Sequence, residues 1–140
     1  MRSLLDVNAL IALGYKGHVF HARARDWYLS VQATARGFHT SSITEIGFVR
    51  VSVVTGLQPD IATARQALDA LKSSSKIRFE LIPDDIGAAQ LPAFVKKPQT
   101  VSEGHLFELA RTIQCSSLLL TRKFPRLCTS RERRESRLAI

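Results

Sequence analysis

Apolar positions follow two rhythms along this chain. Short unbroken runs occur at Ser3 to Val7 (SLLDV), Phe38 to Ser41, Phe79 to Ile82 and Ser117 to Thr121, and these read as short buried strands. Between them, apolar residues recur every three or four positions, the signature of helices with one buried face. Asn8 to Leu13 is predicted as a brief helix with Asn8 as its cap, and His21 to Arg36 as a longer one, with Ala24, Trp27, Tyr28 and Val31 inward and Gly37 ending it. Ser42 to Val54 is predicted to point Ile43, Ile46, Val49 and Val53 inward. Asp60 to Ser74 is the clearest helix, capped by Asp60 and striped by Ile61, Ala64, Leu68 and Leu71. Pro92 and Pro98 bound an irregular, lysine-bearing segment, after which a helix from Val101 or Ser102 to Ile113 buries Leu106, Leu109, Ala110 and Ile113.

Strands that alternate with helices, joined by connections too long for hairpins, imply a parallel sheet covered on both faces. The predicted fold is therefore α/β, with a short central parallel sheet. A chain of 140 residues is enough for one such domain with its own core. We place that domain at residues 1–121 and a basic, divergent tail at 122–140, whose last twelve residues (TSRERRESRLAI) lack the apolar run expected of a final strand.

Composition narrows the setting. No apolar run approaches the roughly 20 residues that span a bilayer, and the start of the chain lacks the charged lead-in and long apolar stretch of a signal peptide. Cys115 and Cys128 match no metal or redox spacing and read as a core residue and a free thiol. The expected location is the cytoplasm. The net charge is +8, of which +5 lies beyond Thr121, where seven basic residues face two acidic ones. Such a balance favours polyanionic partners, though it would equally complement an acidic protein.

Three acids stand out against that basic background. Asp6 ends the first strand, Glu45 lies in the first turn of the helix after the second, and Glu103 opens the helix before the last. Open parallel sheets bind ligands at the carboxyl ends of their strands, so the three are able to meet in one crevice. Two of them also have an ordinary explanation. Ser42-Ile-Thr-Glu45 and Thr100-Val-Ser-Glu103 both fit the capping-box pattern, and Asp6 can cap the helix that follows it. Spacing alone does not separate capping from metal ligation. Other groups are weaker: Asp84 and Asp85 follow Pro83 as turn or cap residues, the four histidines have no zinc spacing, and Glu108 is placed on an exposed helix face. No phosphate-binding glycine loop or nucleophile elbow occurs.

The pieces LLDVNALIAL (4–13), the helix with His21, Ala24 and Trp27, TSSITEIGFVRV (40–51), TVSEGHLFELA (100–110) and SLLLT (117–121) resemble the PIN-domain family, and within it the VapC toxins of bacterial toxin–antitoxin pairs. The resemblance implies a three-layer α/β/α sandwich and a ribonuclease dependent on Mg²⁺ or Mn²⁺. It assigns Asp6, Glu45 and Glu103 as the catalytic, metal-holding acids. Glu103 stands where the family usually has aspartate. A further family acid is expected two residues after Thr121, where this chain has Lys123, a change that weakens or removes any second metal.

The implied partners are RNA, a VapB-like antitoxin and a second copy of the chain in a homodimer, with Asn8, Arg50 and Lys123 as candidate substrate contacts. The reaction so implied is hydrolysis of RNA phosphodiesters by a metal-activated water. A rival reading is a catalytically weakened or inactive PIN module that binds antitoxin or RNA without turnover, and an acid restored at position 123 separates the two. A dehalogenase-like phosphatase would need a second aspartate where Asn8 stands.

Overall fold

The structure is a computed structural model that describes residues 2–115, with the backbone of 117–119 and 128–129. Strand β1 (Arg2–Leu5) leads into helix α1 (Val7–Gly14) and then α2 (His21–Val31). Strand β2 (Gly37–Thr40) is followed by α3 (Ser42–Val54) and α4 (Ile61–Ser74), and strand β3 (Phe79–Leu81) by a loop with two short 3₁₀ turns, Ala88–Gln90 and Pro98–Thr100. Helix α5 (Val101–Thr112) and strands β4 (Ser117–Leu119) and β5 (Cys128–Thr129) complete the order.

The sheet runs β3-β2-β1-β4-β5, parallel throughout except for the antiparallel pairing of β5 with β4. The last strand is thus altered rather than missing: two residues of the tail supply it. The rest of the tail, including Lys123, lies outside the described residues.

Right-handed crossovers explain the layers. From β1 to β2 to β3 the chain moves one way across the sheet, which puts α1 to α4 on one face; the return from β3 to β4 crosses β1 and puts α5 on the other. Side-chain alternation along β1 serves both layers. Leu5 joins the core with Ala9, Leu10, Ala24, Phe38, Phe48 and Leu68, while Leu4 joins Ile82, Leu106, Leu109, Ala110 and Cys115 beneath α5.

Several sequence expectations shift by a residue or more. Asp6, not Asn8, caps α1: its Oδ1 accepts the Ala9 N–H at 2.7 Å, and Asn8 is exposed. Helix α2 stops at Val31 rather than Arg36, because the N–H groups of Thr34 and Ala35 both turn back to the Val31 carbonyl. Gly37 consequently opens β2, without a positive φ, instead of closing a helix.

The largest change is the face of α3. Ile43 and Ile46 are 42% and 68% exposed, and the residues buried on this helix are Thr44, Phe48 and Ser52. Two of these are polar, but local bonds satisfy them. Thr44 Oγ1 accepts from the Ser41 N–H and donates to the Ser41 carbonyl, while the Ser52 hydroxyl donates to the Phe48 carbonyl and accepts from Tyr15. An apolar count along α3 misses a stripe built this way.

Candidate active site

The strand order reverses direction at β1, between its neighbours β2 and β4, and that point is where open α/β sheets place their ligands. Asp6 follows β1 directly. Glu45 follows β2 in the first turn of α3, and Glu103 lies in the first turn of α5, which descends to β4. All three therefore sit at the carboxyl edge of the sheet, each of them half-buried.

The local bonds decide which of these acids are occupied with capping. Asp6 is, through Ala9. Glu45 is not, because the cap of α3 is Ser41 with Thr44, one residue earlier than the predicted box. Its Oε1 instead accepts from the Thr40 hydroxyl at 2.5 Å and from the Lys72 ammonium, on the last turn of α4, at 2.6 Å. Glu103 is also free of capping: the Thr100 hydroxyl donates to the Lys97 carbonyl, and Glu103 makes no hydrogen bond or ion pair to a described residue.

Two glycines let the supporting elements close in. A Cβ on Gly47 would lie 2.5 Å from Val7 Cγ2, so the missing side chain allows the start of α1 to pack closely against α3. A Cβ on Gly104 would lie 2.2 Å from Val95 Cγ2, which seats the loop before α5 against the turn that carries Glu103. The same turn is tied down by His105, whose Nε2 lies 2.6 Å from Asp84 Oδ2. Asp84 is therefore a clamp between loop and helix as well as a turn residue, its Oδ1 accepting from the Ile86 N–H.

The donor set is all carboxylate oxygen, which suits a hard divalent cation. A closed cluster is not pre-formed: among the described residues no three His, Cys, Asp or Glu side chains are close enough to share one ion. Mg²⁺ dehydrates reluctantly and keeps several waters, so acids ranged along one edge fit it through water as well as directly. Among the candidate substrate contacts, Asn8 and Arg50 are exposed, on α1 and α3, and Lys123 lies outside the described residues. No helix among the described residues is long and apolar enough to cross a membrane.

Beside Glu45 runs a groove of about 700 Å³ between α3 and α4, lined by Ile46, Val49, Val53, Ile61 and Leu68 with Arg50 at its rim. Ile46, an exposed α3 residue that the sequence assigned to the core, is one of its walls. Lys72, Thr40, Gly47 and Asp84 are the site residues that sequence reasoning missed. Only the Gly47 signal, a glycine inside a helix two positions from a candidate acid, was there to be read.

A central parallel sheet between two helical layers, with three acids along its carboxyl edge, is the arrangement of a PIN-domain protein. No family model matches it. Ribonuclease VapC38 of Mycobacterium tuberculosis is 42% identical over 114 residues, 78% of this chain and 77% of that protein, and Ribonuclease VapC39 is 36% identical over 115 residues, 79% and 81%. The crystal structure of M. tuberculosis VapC20, titled a sarcin-ricin loop cleaving toxin, superposes with a TM-score of 0.61 at 16% identity, over 83% of this chain and 86% of that one. The chain belongs to the VapC family, the ribonuclease toxins of toxin–antitoxin systems.

Proposed function

We propose that this chain is an endoribonuclease toxin in which Asp6, Glu45 and Glu103 hold Mg²⁺ or Mn²⁺ and a VapB-like antitoxin restrains it. The observation that carries the reading is Glu45. It is a half-buried glutamate excused from capping and held by Thr40 and Lys72 at the carboxyl edge of the sheet, where open α/β sheets bind ligands. When bound, the cation supplies charge against the phosphodiester and lowers the pKa of the attacking water. The chain itself contributes position. Asp6 is locked in its rotamer by Ala9, Glu45 by two donors on one oxygen, and Glu103 rides on a turn held by Gly104 and by His105 with Asp84.

Substrate binding is electrostatic at first. Arg50 stands exposed five residues beyond Glu45 on α3, and the tail from Arg122 carries seven basic residues, a complement for an RNA backbone. An open edge suits a single-stranded loop whose bases are splayed out. VapC20 is titled a sarcin-ricin loop cleaving toxin.

A monomer that leaves Ile46, Val54 and Ile61 at 68%, 73% and 62% exposure offers an apolar face to a protein partner. We assign the groove beside Glu45 to the antitoxin, and expect a homodimer, which light scattering on the purified chain measures. The remaining tail is a separate basic segment, and the protein works in the cytoplasm.

The first experiment is cleavage of total RNA with Mn²⁺ or Mg²⁺ and with EDTA, beside an Asp6→Ala variant. Metal-dependent cutting lost in the variant supports the three-acid site. A folded chain that neither cuts RNA nor binds Mn²⁺ would instead be a module that binds without turnover.

A further inference from the structure

Connections longer than about 12–15 residues with no secondary structure of their own are uncommon, and the ordered ones are usually functional. Residues 82–100, between β3 and α5, make such a connection, interrupted only by the two 3₁₀ turns. Both of its ends lie at the carboxyl edge of the sheet, because β3 finishes there and α5 starts there before descending to β4. Its second half is built firmly against α5. Phe94 meets Phe107 edge to face at 5.4 Å, and Val95 fills the space left open by Gly104. The Val95 N–H donates to the Pro92 carbonyl, and the Lys97 carbonyl accepts from both the N–H and the hydroxyl of Thr100. Lys96 and Lys97 sit between these ties, shortly before Glu103. Both are exposed, and neither forms an ion pair with a described residue.

We propose that Lys96 and Lys97 hold backbone phosphates of the RNA strand on the Glu103 side of the site. An edge lined by Asp6, Glu45 and Glu103 repels a polyanion, so a strand drawn to it needs cations close beside those acids. The loop supplies two on a backbone already fixed, so little chain entropy is lost when a phosphate arrives. The surroundings favour phosphate over an acidic protein. Between Ala93 and Thr100 the exposed residues are Ala93, Lys96, Lys97, Pro98 and Gln99, with no large apolar side chain among them. A protein interface needs an apolar centre, which this chain offers in the α3–α4 groove instead, whereas phosphate contacts need only charge and donors. Lysine suits that task as a point charge with three donors that reads no base. The pair binds substrate and takes no part in the bond that is cut.

This inference rests on the ribonuclease reading, but not on how many acids share an ion. The probe is a fluorescein-labelled single-stranded oligoribonucleotide, bound to the full chain in EDTA and followed by anisotropy across a series of KCl concentrations. The variants are Lys96→Gln with Lys97→Gln, the matching arginine pair, and a control that removes two exposed charges elsewhere. Lys76→Gln with Arg78→Gln serves as that control, since both residues precede β3 at the amino edge of the sheet. Losing one phosphate contact to a single strand lowers the slope of log affinity against log salt by about 0.7. The glutamine pair is therefore expected to lose about 1.4 from that slope, and on the order of tenfold in affinity at low salt. The arginine pair and the amino-edge control are expected to keep the wild-type slope, with all melting temperatures close together.

An unchanged slope in the glutamine pair, in a chain that still cuts RNA, would overturn the phosphate role alone. An equal fall in the amino-edge control would overturn it as well, because summed charge would then explain the binding. So would an arginine pair that behaves like the glutamine pair. Should the glutamine pair keep its RNA slope and lose binding to a polyglutamate peptide, the lysines would belong to an acidic protein segment instead. A wild type that neither binds the oligonucleotide nor cuts total RNA with Mn²⁺ would sink the ribonuclease reading itself, and the phosphate role with it.

Discussion

The two faces of the sheet hold their acids in different ways. On the α1–α4 face a broad core of Leu5, Leu10, Phe38, Phe48 and Leu68, reinforced by stacked Tyr15 on Phe48 and Trp27 on Phe38, fixes the helix starts that carry Asp6 and Glu45. On the α5 face a smaller cluster of Leu4, Ile82, Leu106, Leu109, Ala110 and Cys115 supports Glu103. Asp6 and Glu45 each have hydrogen-bond donors on their carboxylates, while Glu103 has none among the described residues. Two acids are thus set before any ligand arrives, and the third is left to adjust. Preorganised groups cost nothing to orient at the moment of binding, whereas a mobile one gives up rotamer freedom.

The sharpest test separates charge from capping at Asp6. Asparagine is as good a cap as aspartate, so Asp6→Asn should abolish RNA cleavage at nearly wild-type stability. Asp6→Ala should abolish it and also lose about 1 kcal/mol in urea unfolding, the usual worth of a cap. Equal stabilities for the two variants would mean that the bond to Ala9 contributes nothing.

Core truncations probe the comparison directly. Phe48→Ala, which removes a fully buried ring stacked at 5.5 Å on Tyr15, should cost about 3–5 kcal/mol, and Leu109→Ala under α5 about 2–5 kcal/mol. At temperatures where both stay folded, the Phe48 variant should lose more Mn²⁺ affinity, because its cavity loosens α3 and Glu45. The reverse order would locate the rigid half of the site on the α5 face.

Gly47→Ala forces a methyl group against Val7, a β-branched side chain with little room to turn, and should cost about 1–3 kcal/mol. It should also push the start of α1 away from α3 and lower cleavage. Unchanged cleavage in a folded variant would show that the close crossing is a matter of packing alone.

The smallest effect is a pH dependence on the α5 side. His39 is buried on β2, its ring nitrogens have no hydrogen-bond partner among the described residues, and burial holds its pKa below the ordinary 6.5 despite Glu80 nearby. The unfolded chain therefore takes up the proton first. Stability is full above pH 6.5 and falls as pH drops through that value toward the folded pKa. Urea midpoints measured between about pH 7.5 and about pH 5.5 should fall further for the wild type than for His39→Leu. Parallel curves would rule His39 out as the source.

Much of this was legible in the residues. Strand positions, the order of elements and the buried faces of α2 and α5 follow from periodicity, since burial on one side leaves a regular apolar mark. The α3 face was misread because its buried stripe, Thr44, Phe48 and Ser52, hides two hydroxyls in local bonds, while Ile43 is exposed and Ile46 lines an open groove. Hydropathy cannot tell an apolar residue kept for a partner from one kept for the core. The paired capping boxes stayed undecided in the sequence for a related reason. A cap is chosen by backbone geometry at one residue, and Ser41 competes with Ser42 on equal chemical terms.

The sequence by itself determined the alternation of strand and helix, the acids after the first strand and in the first turns of two helices, and the basic balance, because each is a property of local spacing or of summed charge. Only the tertiary structure decided that Glu45 is released from capping and held by Lys72, twenty-seven residues away, that Gly47 lets α1 and α3 touch, and that Asp84 clamps α5 through His105. Those are distances between segments remote in sequence, and they are set by how the two helical layers pack on one sheet.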